Sequence, residues 1–133
     1  MLIEQLLSEH TLKAIKSLYQ SDFDASKIVF QKTNPEFEGD ITLVVFPFVK
    51  ISKKSPEVTA NELGSYLKEN LTAVEKFNVV KGFLNLVVSK DFWLNFFNES
   101  YPDKNFGIKV PAPDSPLVMV EYSSPNTNKP LHL

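Results

Sequence analysis

The stretch Val74-Glu-Lys-Phe-Asn-Val-Val-Lys-Gly-Phe-Leu-Asn-Leu-Val-Val88 decides the fold. Two runs rich in β-branched and apolar residues, Val74 to Val80 and Phe83 to Val88, flank the dipeptide Lys81-Gly82, which is the spacing of a β-hairpin. Alternate residues of a strand face opposite sides of its sheet, so Leu84, Leu86 and Val88 share one face and Phe83, Asn85 and Val87 the other. The leucine face must turn to the core. Phe83 and Asn85 then point to the far side, where no helix is expected to cover them. A ring beside an amide suits recognition of looped or single-stranded RNA, with the ring stacking on an unpaired base and the amide bonding its edge. The same residues allow a plainer arrangement, with Phe83 packed on a cross-strand neighbour such as Val79 and Asn85 merely solvated.

Working outward, residues 2–19 place Ile3, Leu6, Leu7, Ala14, Ile15 and Leu18 at helical spacing. Lys27 to Lys32 reads as a short strand. Asn34-Pro35 and Glu38-Gly39-Asp40 supply turn chemistry before a second strand at Ile41 to Phe46. Pro47 ends that strand and suits the first turn of a short helix through Ile51. Ser55-Pro56-Glu57 starts a longer helix with a capping hydroxyl, a first-turn proline and an acid. Ala60, Leu63, Leu67 and Leu71 give that helix its buried face. Ser89 caps a last helix whose Phe92, Trp93, Phe96 and Phe97 read as core rather than as a cofactor stack. Residues 1–99 are thus expected to form a two-layer α+β domain of order α-β-β-α-β-β-α, an antiparallel four-stranded sheet with helices on one face. Four prolines and one glycine make residues 100–116 a linker. A strand at Leu117 to Val120 then opens a second domain over residues 117–133.

Composition narrows the function. The 133 residues include no cysteine, which excludes a disulfide framework and a thiolate metal site. Sixteen acidic residues outweigh fourteen basic ones, all lysines. Bulk attraction to polyanions, DNA included, is therefore not expected, and contact with nucleic acid should be local recognition. Lys50, Lys53 and Lys54 form a modest cluster that reads as a solvated turn. No run approaches a membrane span, and Glu4 and Glu9 occupy the place of a basic signal region, so a cytoplasmic protein is expected.

The end of the chain carries the most specific motif. Glu121-Tyr-Ser-Ser-Pro-Asn126, then Asn128-Lys-Pro130 and His132-Leu133, is a strand end running into a polar loop, the place where ligands of α/β proteins collect. It resembles the opening of the catalytic domain of the arginyl-tRNA synthetases, where the segment continues into Gly-His to complete the class I "HIGH" signature. Upstream, Gly39-Asp40, Lys50, Pro56 and Gly82-Phe-Leu-Asn85 follow the order and approximate spacing of that family's additional amino-terminal domain. Residues 41–49 are more apolar than the family's usual mixture there, which leaves the strand-to-helix boundary open.

The resemblance implies a division of labour within an arginine–tRNA ligase. Residues 1–99 would recognise tRNA(Arg), and residues 117–133 would begin a Rossmann-like catalytic domain. Phe83 and Asn85 match positions that read a base in the tRNA D-loop. Asn126, Ser124 and Glu121 match the hold on L-arginine; a carboxylate there can neutralise either the guanidinium or the ammonium. His132 matches the first histidine of the signature, which meets the ATP phosphates at a helix start. Lys129 is a second cation in that loop. Catalysis would be charge stabilisation on the α-phosphate as the arginine carboxylate attacks. ATP would be a substrate accompanied by Mg2+ in the full enzyme, with no metal or cofactor held by this chain, which is expected to be inactive alone and monomeric. The alternatives are a non-catalytic RNA-binding module and a plain protein-interaction domain.

Overall fold

The computed structural model describes residues 2–122. Helix α1 spans Ile3–Tyr19 and buries Leu7, Thr11, Ala14 and Ile15, the stripe that its spacing marks out. Gln20, in the left-handed conformation, ends it. Strands β1 (Phe30–Lys32) and β2 (Ile41–Val44) follow. A 3-10 turn at Phe46–Phe48, with Pro47 inside it, leads into the one-turn helix α2 (Val49–Ser52). Helix α3 (Pro56–Asn70) starts as the sequence dictates, with the Ser55 side chain accepting from the Val58 N–H and Pro56 at the first position. Strands β3 (Val74–Val80) and β4 (Phe83–Val88) form the hairpin, and α4 (Lys90–Ser100) closes the domain, capped by the Ser89 hydroxyl.

All three strand pairings are antiparallel, in the order β1-β2-β4-β3. Both hairpin turn residues have positive φ, 50° at Lys81 and 80° at Gly82, as a type I′ turn requires. A Cβ on Gly82 would also sit 2.7 Å from that of Pro56, so the turn and the start of α3 meet where only glycine fits. The register places Leu84 opposite Leu43 and Leu86 opposite Ile41. That face receives Ala60, Leu63 and Leu67 of α3, with Leu7, Ala14 and Ile15 of α1 completing the core. Each such leucine, wholly removed from water, contributes about 1.5–3 kcal/mol. Gly64 lets α3 lie flat on the sheet, because a Cβ there would fall 2.5 Å from the Phe77 ring.

The α+β architecture and element order are those expected from the sequence, with local differences. β1 begins at Phe30 because Ala25–Lys27 forms a 3-10 turn whose Asp24 cap accepts from Ser26. β2 ends at Val44, two residues early, where the Phe46–Phe48 turn begins. The aromatic face of α4 is not core. Trp93 and Phe97 are 41% and 58% exposed, and no residue of the helix is fully buried. Only Phe92 packs against the core cluster, since α1 and α3 already fill the helix layer. The rings pack on one another instead, with Trp93 edge-on to both Phe92, 5.5 Å between centroids, and Phe96, at 6.3 Å. Leu117 to Val120 is exposed and forms no strand, for a strand exists through its neighbours and the described residues offer it none. The chain divides into two compact units, one up to Pro102 and one from Asp103.

Candidate functional site

The hairpin turn pairs Val80 with Phe83, and the ladder then sets Asn78 opposite Asn85. On the other side of β4, Thr42 lies opposite Asn85 and Val44 opposite Phe83, while Gln31 of β1 lies opposite Thr42. The face away from the helices therefore carries a polar row, Gln31-Thr42-Asn85-Asn78, beside an apolar row, Val44-Phe83-Val80. Phe83 meets Val80 and Val44 here, while Val79 belongs to the opposite face. The Phe46 ring packs edge-on to Phe83, 5.3 Å between centroids.

Asn85 is not solvated. Only 2% of its surface is exposed, because the β1–β2 loop, residues 33–40, arches over β4. Gly39 is the point of contact, at φ 149°, where a Cβ would approach both Asn85 Cβ and Thr33 Oγ1 to 3.1 Å. Asp40 anchors the loop's return: its N–H donates to the Leu86 carbonyl, and its carboxylate accepts from the Val88 N–H, each at 2.8 Å. Glu38 ties the loop to β3 twice, through an ion pair with Lys76 and through its carbonyl, which accepts from Asn78 Nδ2. The Glu38 carboxylate in turn holds the Lys76 ammonium above its ordinary pKa.

Between loop and sheet lies a cleft of about 360 Å³, lined by residues that include Phe37, Thr42, Lys81, Phe83 and Asn85. It thus joins the half-buried Phe83 ring and the Asn85 amide in one concavity. Within it, Thr42 Oγ1 lies 2.6 Å from Asn85 Oδ1 and 3.0 Å from Thr33 Oγ1, and Asn85 Nδ2 donates to Asn78 Oδ1 at 2.9 Å. Among the described residues, Lys81 makes no ion pair. A cavity with one aromatic wall, one amide and a cation at its rim can hold a flat heterocycle whose edge carries hydrogen-bonding groups.

The sequence reading singled out Phe83 and Asn85 and missed Thr42, Asn78 and Phe37. Asn78 was within reach, since a two-residue turn at Lys81-Gly82 already sets it opposite Asn85. Phe37 and the loop's arch were not. Glu121 is exposed in the second unit, and Ser124, Asn126, Lys129 and His132 lie outside the described residues.

Residues 4–88 match the family described as "Arginyl tRNA synthetase N terminal domain". The chain belongs to this family. Over its whole length it is 54% identical to an arginine–tRNA ligase of Bacteroides fragilis and 57% identical to that of Porphyromonas gingivalis, covering 22% of each. The chain therefore spans about a fifth of the length of these curated relatives. Its fold resembles that of the Thermus thermophilus arginyl-tRNA synthetase, with a TM-score of 0.57 at 22% identity over 71% of this chain and 15% of that one. The domain's motif residues acquire physical roles here. Gly39 permits the close approach over Asn85, Asp40 pins the end of β4, and Gly82 and Pro56 pack together. Lys50 is exposed on α2.

Proposed function

We propose that this chain is the tRNA-docking domain of an arginine–tRNA ligase, joined to the first segment of its catalytic domain. The observation that carries this is the single cleft holding both the Phe83 ring and the Asn85 amide on the sheet face that no helix covers. An unpaired base of the tRNA D-loop stacks on Phe83 and bonds the amide through its edge. Lys81 at the rim suits a neighbouring phosphate. Binding at this remote part of the tRNA supports chemistry elsewhere in the enzyme.

The reaction is ATP-dependent activation of L-arginine, followed by transfer to the 3′ end of tRNA(Arg). In the full-length enzyme, His132 and Lys129 meet the ATP phosphates, while Asn126, Ser124 and Glu121 hold the arginine. Mg2+ enters as the companion of ATP. Residues 1–99 form the docking domain, 100–116 the linker and 117–133 the start of the catalytic domain. No helix among the described residues is long and apolar enough to cross a membrane. The proposal places the enzyme in the cytoplasm as a monomer. Residues 1–133 alone should give no arginine-dependent pyrophosphate exchange; measurable exchange would contradict this part of the reading.

The test is Phe83→Ala and Asn85→Ala in the full-length enzyme. Loss of one base–aromatic contact removes roughly 1–3 kcal/mol, so kcat/KM for tRNA should fall about tenfold or more for Phe83→Ala. The KM values for ATP and arginine should hold. An unchanged kcat/KM for tRNA in both variants would sink the docking role.

A further inference from the structure

We propose that Asn78 sets the direction of the Asn85 amide, and so decides whether the cleft accepts a base edge bearing an amine or one bearing a carbonyl. The proposal deepens the docking reading and rests on it. Asn78 is a positioning residue: it meets Asn85, which meets the base.

The direction follows from one group that cannot change roles. The Glu38 carbonyl only accepts, so the Asn78 end facing it must be Nδ2. Asn78 Oδ1 is then the end turned to Asn85, and it too can only accept. Asn85 must present Nδ2 to it, which turns Asn85 Oδ1 to Thr42. A hydroxyl has one proton, and that of Thr42 lies within reach of Asn85 Oδ1 at 2.6 Å and of Thr33 Oγ1 at 3.0 Å; the shorter bond, to Asn85, takes it. The chain of donors runs one way, from Thr42 through Asn85 and Asn78 to the backbone of Glu38. Every buried side-chain polar atom among the described residues is satisfied.

Rotating the Asn85 amide would set two oxygens face to face at Asn78, which is costly for a side chain only 2% exposed. An amide has two N–H groups and two lone pairs on its oxygen. One of each is used within the protein, leaving one donor and one acceptor for the cleft.

That fixed order has chemical content. Adenine and cytosine present a ring-nitrogen acceptor beside an exocyclic amine. Guanine and uracil present a ring N–H beside a carbonyl. An amide pairs with either type, but with its ends exchanged. An amide free to rotate would take both, whereas one held by Asn78 favours one type at a given stacking position. Without Asn78 the constraint disappears, because the Thr42 hydroxyl can donate to an amide oxygen or accept from an amide nitrogen.

The experiment uses the full-length enzyme and tRNA(Arg) transcripts carrying each of the four bases at the D-loop position whose replacement costs most. The parent enzyme should prefer one type, amino or keto, by about tenfold or more in kcat/KM, the discrimination expected of a two-bond base contact. Asn78→Leu should bring that ratio towards one. Asn78→Ala carries the same expectation as Asn78→Leu and replaces it if thermal unfolding shows that the leucine does not fold.

A parent enzyme without amino-versus-keto preference would overturn the proposal. So would an Asn78→Leu enzyme that keeps the ratio, or one slowed equally on all four transcripts. Failure of the docking reading looks different: Phe83→Ala and Asn85→Ala would then leave kcat/KM unchanged on every transcript.

Discussion

The two faces of this sheet are built from the same strands, one residue apart, and they are sealed by different means. On one face Leu43, Leu84 and Leu86 meet the leucines of α3 and exclude water by apolar packing. On the other face Thr42, Asn78 and Asn85 form a directed hydrogen-bond row under a single loop. The first face tolerates imprecision at an energetic cost; the second holds one arrangement of donors and acceptors. Stability resides mainly in the first; selectivity, on the proposed docking, resides in the second.

The largest expected effect tests the apolar face. Leu86→Ala should lose about 2–5 kcal/mol of unfolding free energy, as buried leucine truncations do, measured by denaturant titration. A loss no larger than that of a surface change would break the comparison. On the polar face, Asn85→Ala leaves the Asn78 amide oxygen without its donor and the Thr42 hydroxyl with Thr33 alone. It should cost about 1–3 kcal/mol in the same titration. A solvated asparagine would cost less than about 0.5 kcal/mol, so the measurement separates a buried network from a wet surface. Gly39→Ala tests the roof. Its positive φ and the 3.1 Å approach to Asn85 Cβ predict a loss of about 1–2 kcal/mol together with weaker tRNA use.

Outside both faces the effects should be smallest. The Glu62 carboxylate bridges Lys54 and the Tyr19 hydroxyl. Lys54 above all, and then Tyr19, holds the Glu62 carboxyl below its ordinary pKa against the opposing pull of desolvation. A depressed pKa stabilises the fold above the ordinary carboxylate range, and that contribution is lost as pH falls through the folded value. For so accessible a pair it should amount to under about 1 kcal/mol. Glu62→Gln should flatten stability against pH in that acid window and leave it unchanged in shape near neutrality.

Most of the fold was legible because its signals are local. The alternation in Phe83–Val88, the Lys81-Gly82 turn and the Ser55-Pro56 helix start each specify their own geometry. The burial of Asn85 was not legible. It depends on residues 33–40 crossing β4 to reach β3, and no pattern within β4 announces a loop from so far away in sequence. The α4 aromatics failed for a related reason. Helical spacing shows that Phe92, Trp93, Phe96 and Phe97 share a region of the helix surface, but not whether anything meets it. The candidate site was half visible: alternation found Phe83 and Asn85, while their partners Thr42 and Asn78 emerge only from strand register.

The central claim is that the face no helix covers reads a base of tRNA through an aromatic surface. Phe83→Leu in the full-length enzyme tests it most directly, because leucine keeps an apolar side chain and removes only the ring. The account expects kcat/KM for tRNA to fall about tenfold or more, with the melting temperature and the KM for ATP nearly unchanged. A Phe83→Leu enzyme that charges tRNA as efficiently as the parent would contradict it.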